Sequence, residues 1–167
     1  TRTVAYIMPL PPGLHPGMDT VAHGMAYGLK GADAELRILP ADLRNPHYAI
    51  EQNQAVVAAT EAKVDGICVF MLDEQEPAPA VWRAMGKNIP VVALHKPAFP
   101  VTATVATPNF YHGLFLTQFL ARHLDEQAKV AMIGGPPILD DEELVDGLIE
   151  GVKRCRLTLL NDPHDMA

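Results

Sequence analysis

The chain has 167 residues, 49% apolar and 20% charged, which excludes a disordered polar class and suffices to fill one domain or two small lobes. Thirteen basic and 20 acidic residues give a net charge of −7 with no Lys/Arg cluster, so this segment is not expected to bind nucleic acid. No run approaches the roughly 20 apolar residues of a membrane span, and TRTVAYIMPL lacks the basic-then-apolar layout of a signal peptide, so any export signal is expected to have been removed or never to have existed.

TVAYIM (Thr3–Met8) reads as a buried strand. It runs into MPLPPGLHPGM, a stiff loop of four prolines, two glycines and His15. Met18, Val21, Met25 and Leu29 then recur at helical spacing, with Gly31 near the C-cap. AELRILP is a second strand. Asn45-Pro46 is expected to open the next helix, whose inward face would carry Ile50, Val57 and Thr60. VDGICVFML, almost continuously apolar, suits a strand covered on both faces. PAPAVWRAMGKN is a third helix and IPVVALH a fourth strand. The βαβαβαβ order implies a parallel, doubly wound α/β sheet with right-handed crossovers.

After Pro100 the texture changes. VTATVAT alternates as an extended segment, Asn109–Leu124 forms a very apolar helix, and KVAMIGG, DDEELVDGLIEGVKR and RLTLL read as strand, helix and strand. HKPAFPV, with Pro97 and Pro100, suggests a crossing between lobes. The expected division is a first α/β lobe over 1–103 and the start of a second over 104–167. Trp82, Phe110, Tyr111, Phe115 and Phe119 recur on helix faces and are expected in the core.

Ligands of such sheets sit outside the carboxyl ends of the strands, where Pro9–Pro16, Leu72–Pro77 and His95–Phe99 fall. His15 and His95 lie on these loops and are candidate ligand contacts. Asp73 and Glu74 end the third strand and Asp140 to Glu143 open a later helix, positions that also suit capping and the helix dipole.

Enzyme signatures are sparse. No G-x-G-x-x-G follows the first strand, and there is no P-loop or G-x-S-x-G elbow; the chain contains no serine. Seven histidines form no H-x-x-x-H pair and no Cys/His cluster, so neither metal nor cofactor is expected. Cys68 lies in a buried strand and Cys155 beyond a helix, with no framework spacing to suggest a disulfide.

In order, VAYIMPL…HPGMDTVAHGM, LPADLRNPHYAIEQNQAVV, VDGICVFMLDEQ, NIPVVALHKP, VATPNFYHGLFLTQFLA, KVAMIGGPP and VDGLIEGVKR resemble the type I periplasmic solute-binding proteins, the sugar-binding family that feeds ABC transporters. Related repressors of the lactose-repressor type share this core but carry a helix-turn-helix that is missing here. The resemblance implies a periplasmic-binding-protein-like lobe of Rossmann/flavodoxin-like order, then the beginning of a similar second lobe. Family members are nearly twice this length, so an incomplete chain is expected.

The resemblance also implies a non-enzymatic, exported, periplasmic protein that closes two lobes on a solute by a hinge near Pro97 to Thr104, and that meets a membrane permease or sensor receptor without entering the membrane. His15-Pro16-Gly17-Met18 stands where sugar binders place Asn-Pro and stacking aromatics. His95-Lys96 stands for Asp-Arg, Pro108 for an Asp, and Glu142 for an arginine. Lys96 with His95 suits a carboxylate or other anionic group. The expected ligand contacts are His15, Met18, Asp73, His95, Lys96 and Asn109, around a sugar, polyol or small acid. Alternatives on the same fold are a ligand sensor signalling to a receptor kinase, a repressor core, and a flavodoxin-like enzyme using His15 or His95 in acid–base work.

Overall fold

The computed structural model describes residues 1–73, 75–134 and 139–163, with the backbone alone at 139 and 140. Glu74 and the Asp140 side chain, singled out above, lie outside the described residues, as does His164, one of the seven histidines. The chain divides into two compact units, Thr1–Ala106 and Thr107–Ala167.

The first unit alternates β1 (Arg2–Met8), α1 (Pro16–Gly28), β2 (Ala34–Pro40), α2 (Tyr48–Glu61), β3 (Gly66–Val69), α3 (Ala78–Gly86), β4 (Val91–Ala93) and β5 (Ala103–Thr104). All five strands are parallel, in the order β2-β1-β3-β4-β5, the flavodoxin-like order of a doubly wound sheet. Central β1 runs Ala5-Tyr6-Ile7-Met8 with no exposed surface, which is why its sequence is apolar without alternation. Tyr6 sits in register between Ile38 and Cys68. Passing from β1 to β2 reverses the direction taken from β2 to β3 and from β3 to β4. Right-handed crossovers therefore put α1 on one face and α2 with α3 on the other.

Several local expectations are corrected. α2 begins at Tyr48 because Asn45 is spent on the preceding turn, its Oδ1 accepting from His47 N–H at 3.0 Å and its carbonyl from Tyr48 N–H at 3.0 Å. The buried stripe of α2 is Gln52, Val56, Ala59 and Thr60, whereas Ile50 is 49% exposed. β3 leaves the ladder after Val69 although Phe70, Met71 and Leu72 stay buried. α1 ends at Gly28, ahead of Gly31, which takes φ +84° in the turn beyond. The joints into later strands use non-glycine residues at positive φ: Asp33 before β2, Lys63 before β3 and Asn88 before β4.

The second unit holds α4 (Asn109–Ala121), β6 (Lys129–Val130), α5 (Leu139–Arg154) and β7 (Thr158–Leu159), with β6 and β7 parallel. α4 and α5 pack backbone to backbone. A Cβ at Gly147 would collide with the Phe110 carbonyl, one at Gly113 with the Leu144 carbonyl, and one at Gly151 would lie 2.6 Å from Thr117 Cβ. The Gly113–Thr117 face of α4 is therefore buried against α5. Tyr111, Phe115 (59% exposed) and Phe119 point away, contrary to the expectation that they fill the core; Trp82, in the first unit, is likewise 53% exposed. Asn161 closes the end of β6, accepting from Met132 N–H and donating to Met132 O, both at 2.9 Å.

Candidate functional site

Because β1, β3 and β4 are adjacent and parallel, their exit loops share one edge of the sheet. The loop after β1 is fastened at both ends. Leu43 N–H donates to Pro9 O at 2.9 Å, and Gly13 N–H donates to both carboxylate oxygens of Asp19 at 3.0 and 3.2 Å. Gly13 has φ +87°, a conformation costly for any side chain bearing Cβ. Asp19 lies in the first turn of α1, where a carboxylate also meets the positive end of the helix dipole.

His15 is the N-cap of α1. Its backbone is extended and its Nδ1 accepts from Gly17 N–H at 3.2 Å, while Pro16 takes the first helical position. A neutral ring that accepts through Nδ1 carries its proton on Nε2, so His15 offers an N–H donor to whatever lies above the helix. Gly17 makes this possible, since a Cβ there would stand 3.1 Å from His15 Cε1. His15 is exposed and Met18, in the first turn of α1, is half-buried.

Asp73 and Lys96 occupy the other two loops. Asp73 is half-buried and its Oδ1 accepts from Gln75 N–H at 2.8 Å and Glu76 N–H at 2.7 Å, the capping geometry that its position suggested. Lys96 is exposed and brings a cation to the edge. His95, by contrast, is only 4% exposed, its ring edge-on to Phe70 with centroids 4.4 Å apart and planes at 75°. Asn109 belongs to the second unit; it is buried as the first residue of α4, and Thr107 Oγ1 donates to its Oδ1 at 3.0 Å.

The structure adds residues that apolar periodicity could not reveal. Gln52, wholly buried, reaches from α2 to the end of β3: its Nε2 donates to Phe70 O at 2.7 Å and its Oε1 accepts from Leu72 N–H at 3.1 Å. Trp82 of α3 meets Phe99 of the β4 loop edge-on, with centroids 6.0 Å apart. After β2, Arg44 forks onto Asp42, and these hydrogen bonds hold the Asp42 carboxyl down at about 2. Burial pushes the Cys68 thiol up to about 11 and, with Cys68 beside it, raises the Tyr6 phenol. Cys68 and Cys155 are both free.

An apolar recess of about 510 Å³ opens at the opposite end of the sheet, lined in part by Val4, Met25, Leu29, Cys68 and Val92. It adjoins the first residues of the strands, away from the exit loops, and its lining is mainly apolar, with Arg2 and Asp65 its charged members; we take the loop edge as the candidate solute site. Among the described residues no three His, Cys, Asp or Glu side chains gather as a metal set, and no helix is long and apolar enough to cross a membrane.

Comparisons with known proteins bear on this arrangement. No curated protein matches the sequence significantly. Among solved structures, the XylFII-LytSN complex superposes with a TM-score of 0.84 at 21% identity, over 96% of this chain and 58% of that one. An ABC transporter periplasmic solute binding protein from Actinobacillus succinogenes with bound D-allose gives 0.80 at 19% identity, over 96% and 58%. An ABC transporter solute binding protein from Agrobacterium vitis with bound D-fucose gives 0.81 at 21%, over 95% and 56%. The chain thus spans little more than half the length of these solved structures, and at such identities the likeness shows the fold. The periplasmic binding protein domain profile matches residues 18–165, nearly the whole chain; it takes in α1 from Met18 onward, the exits of β3 and β4 and both helices of the second unit, while β1 and its exit loop precede it. With this sheet order and that match together, the chain belongs to the periplasmic binding protein domain family.

Proposed function

We propose that this chain is the solute-binding component of a periplasmic ABC transport system, holding a small polar solute at the carboxyl edge of the first unit's sheet and releasing it unchanged. The observation that carries this reading is the sharing of one sheet edge by the exits of β1, β3 and β4, with an imidazole donor at His15, a carboxylate at Asp73 and a cation at Lys96 on those exits. A polyhydroxylated or acidic solute needs such a mixture of donors and acceptors. In this reading Met18 widens the wall where a stacking aromatic would narrow it, His95 supports the wall from beneath, and Lys96 attracts an anionic group. Sugars bound to two solved relatives support the ligand class. Capture by hinge closure of two lobes and export to the periplasm belong to the same reading.

The test is thermal stabilisation of the chain, within its native reading frame, by D-allose, D-fucose, glycerol and small carboxylic acids. A ligand present at about 100 times its Kd stabilises by roughly 2.7 kcal/mol. Stabilisation by none of them counts against the reading. A second reading, ligand sensing through another protein, is favoured by the likeness to the XylFII-LytSN complex. Solute-dependent retention by a receptor ectodomain, with none by a permease, would select it.

A further inference from the structure

We propose that Gln52 is a positioning residue of the solute site: its buried amide fixes where the chain leaves β3 and, through the Phe70 ring, sets the orientation of His95. This rests on the reading of the strand-exit edge as the solute site.

The parallel ladder ends early on β3. Phe70 N–H still donates to Ile7 O at 3.1 Å, but Phe70 O and Leu72 N–H lie past the last strand residue, Val69. Both belong to buried residues, where a backbone group without a partner is costly. Gln52 supplies both partners from one side chain, and the chemistry fixes its orientation, because a carbonyl needs the NH₂ and an N–H needs the oxygen. The two bonds act across Met71 as a clip two residues wide. One end holds Phe70, whose ring meets His95 at 4.4 Å; the other holds Leu72, directly before Asp73, whose carboxylate organises the turn to Glu76. Through these contacts one helix side chain governs the β3 exit and the His95 side of the β4 exit. Its χ angles are confined by complete burial and by two hydrogen bonds to the β3 exit, so the position it imposes is definite.

The test uses Gln52→Met, which keeps length and removes both hydrogen bonds, and Phe70→Leu, which removes the ring and leaves the clip. In the wild type, Leu72 N–H is expected to exchange as slowly as the ladder amide of Ile67; exchange at the unprotected rate would overturn the proposal without any variant. In Gln52→Met, Leu72 N–H is expected to exchange about tenfold faster, in line with loss of one buried hydrogen bond. The His95 ring resonances should shift while those of His23 stay put. Phe70→Leu should shift His95 and leave Leu72 protected. Loss of stability in Gln52→Met with His95 unmoved would reduce Gln52 to a structural residue and defeat the proposal. Titration with D-allose adds the functional arm, where Gln52→Met should bind at least about tenfold more weakly than wild type. If the wild type binds none of the solutes tested, the solute reading fails, and the His95 and Leu72 signals still decide whether the clip positions the loop.

Discussion

Replacing Gly147 by alanine tests whether the α4–α5 contact is as close as the geometry requires. The new Cβ would meet the Phe110 carbonyl oxygen well inside contact distance and the carbonyl carbon at 2.7 Å. Ordinary contact begins near 3.4 Å, so the helices must part by roughly 0.7 Å or more, and since the obstacle is backbone no rotamer relieves it. Overpacking of this kind costs about 1–3 kcal/mol, and the rigid obstacle puts Gly147→Ala at the upper end. The higher helix propensity of alanine returns up to about 1 kcal/mol, leaving a net loss of about 2 kcal/mol. Hydrogen exchange is the assay: α5 amides should exchange about 30-fold faster, while Ile67 in the first unit keeps its rate. Gly24→Ala is the control, since nothing lies within 4 Å of a Cβ there; it should raise stability by about 0.5–1 kcal/mol. A Gly147→Ala chain as stable as wild type would refute the close packing.

Other perturbations probe the remaining links. Lys63→Gly and Arg156→Gly relieve side chains held at φ +55° and +56°, and each should raise the urea midpoint by an amount equivalent to about 0.5–1 kcal/mol; a drop would place these residues outside the left-handed region. The buried Cys68 thiol makes stability fall with alkali. Its contribution is whole below pH 9.0, the unfolded value, and is lost as pH rises toward about 11. Two units correspond to about 3 kcal/mol, and urea midpoints of Cys68→Ala should decline less between pH 9 and 11. Asp42 works in the opposite sense: Arg44 keeps it charged until pH falls through about 2, so NMR titration of Arg44→Met should return the carboxyl toward 3.8. Lys96→Met should abolish stabilisation by small acids and spare that by glycerol; equal loss of both would deny Lys96 a charge-specific role.

The order of elements was legible because each strand is a short apolar run and each crossover is punctuated by Pro, Asn or Gly. β2 falls on AELRILP residue for residue, and α5 begins one residue before the segment expected for it. What periodicity misread were faces. A search for apolar stripes on α2 chooses Ile50 and Val57 because it cannot see that a glutamine with two backbone partners is cheaper to bury than an isoleucine is to leave half exposed. On α4, apolar nearly all round, the aromatic residues look like the inner face by size. The deciding signal was the small residues: Gly113-x-x-x-Thr117 on α4 and Gly147-x-x-x-Gly151 on α5 let two backbones approach as no aromatic could.

The loop edge was legible for a different reason. Parallel βα order alone sends every strand exit to one side, so His15, Asp73 and Lys96 fall on that edge whatever their contacts. The roles of the side chains were less legible, since they depend on partners distant in sequence. His95 is buried edge-on to Phe70, 25 residues earlier, and the Phe70 carbonyl is in turn held at the end of β3 by Gln52 from the preceding helix. His15 is the instructive contrast. Its cap partner is two residues away, so the same Pro16-Gly17 step that starts the helix also orients the imidazole, and a local motif suffices to aim a donor at the edge. The edge thus combines one side chain set by its neighbours with another set through the sheet, and substitution at Gly17 or at Gln52 should disturb them separately.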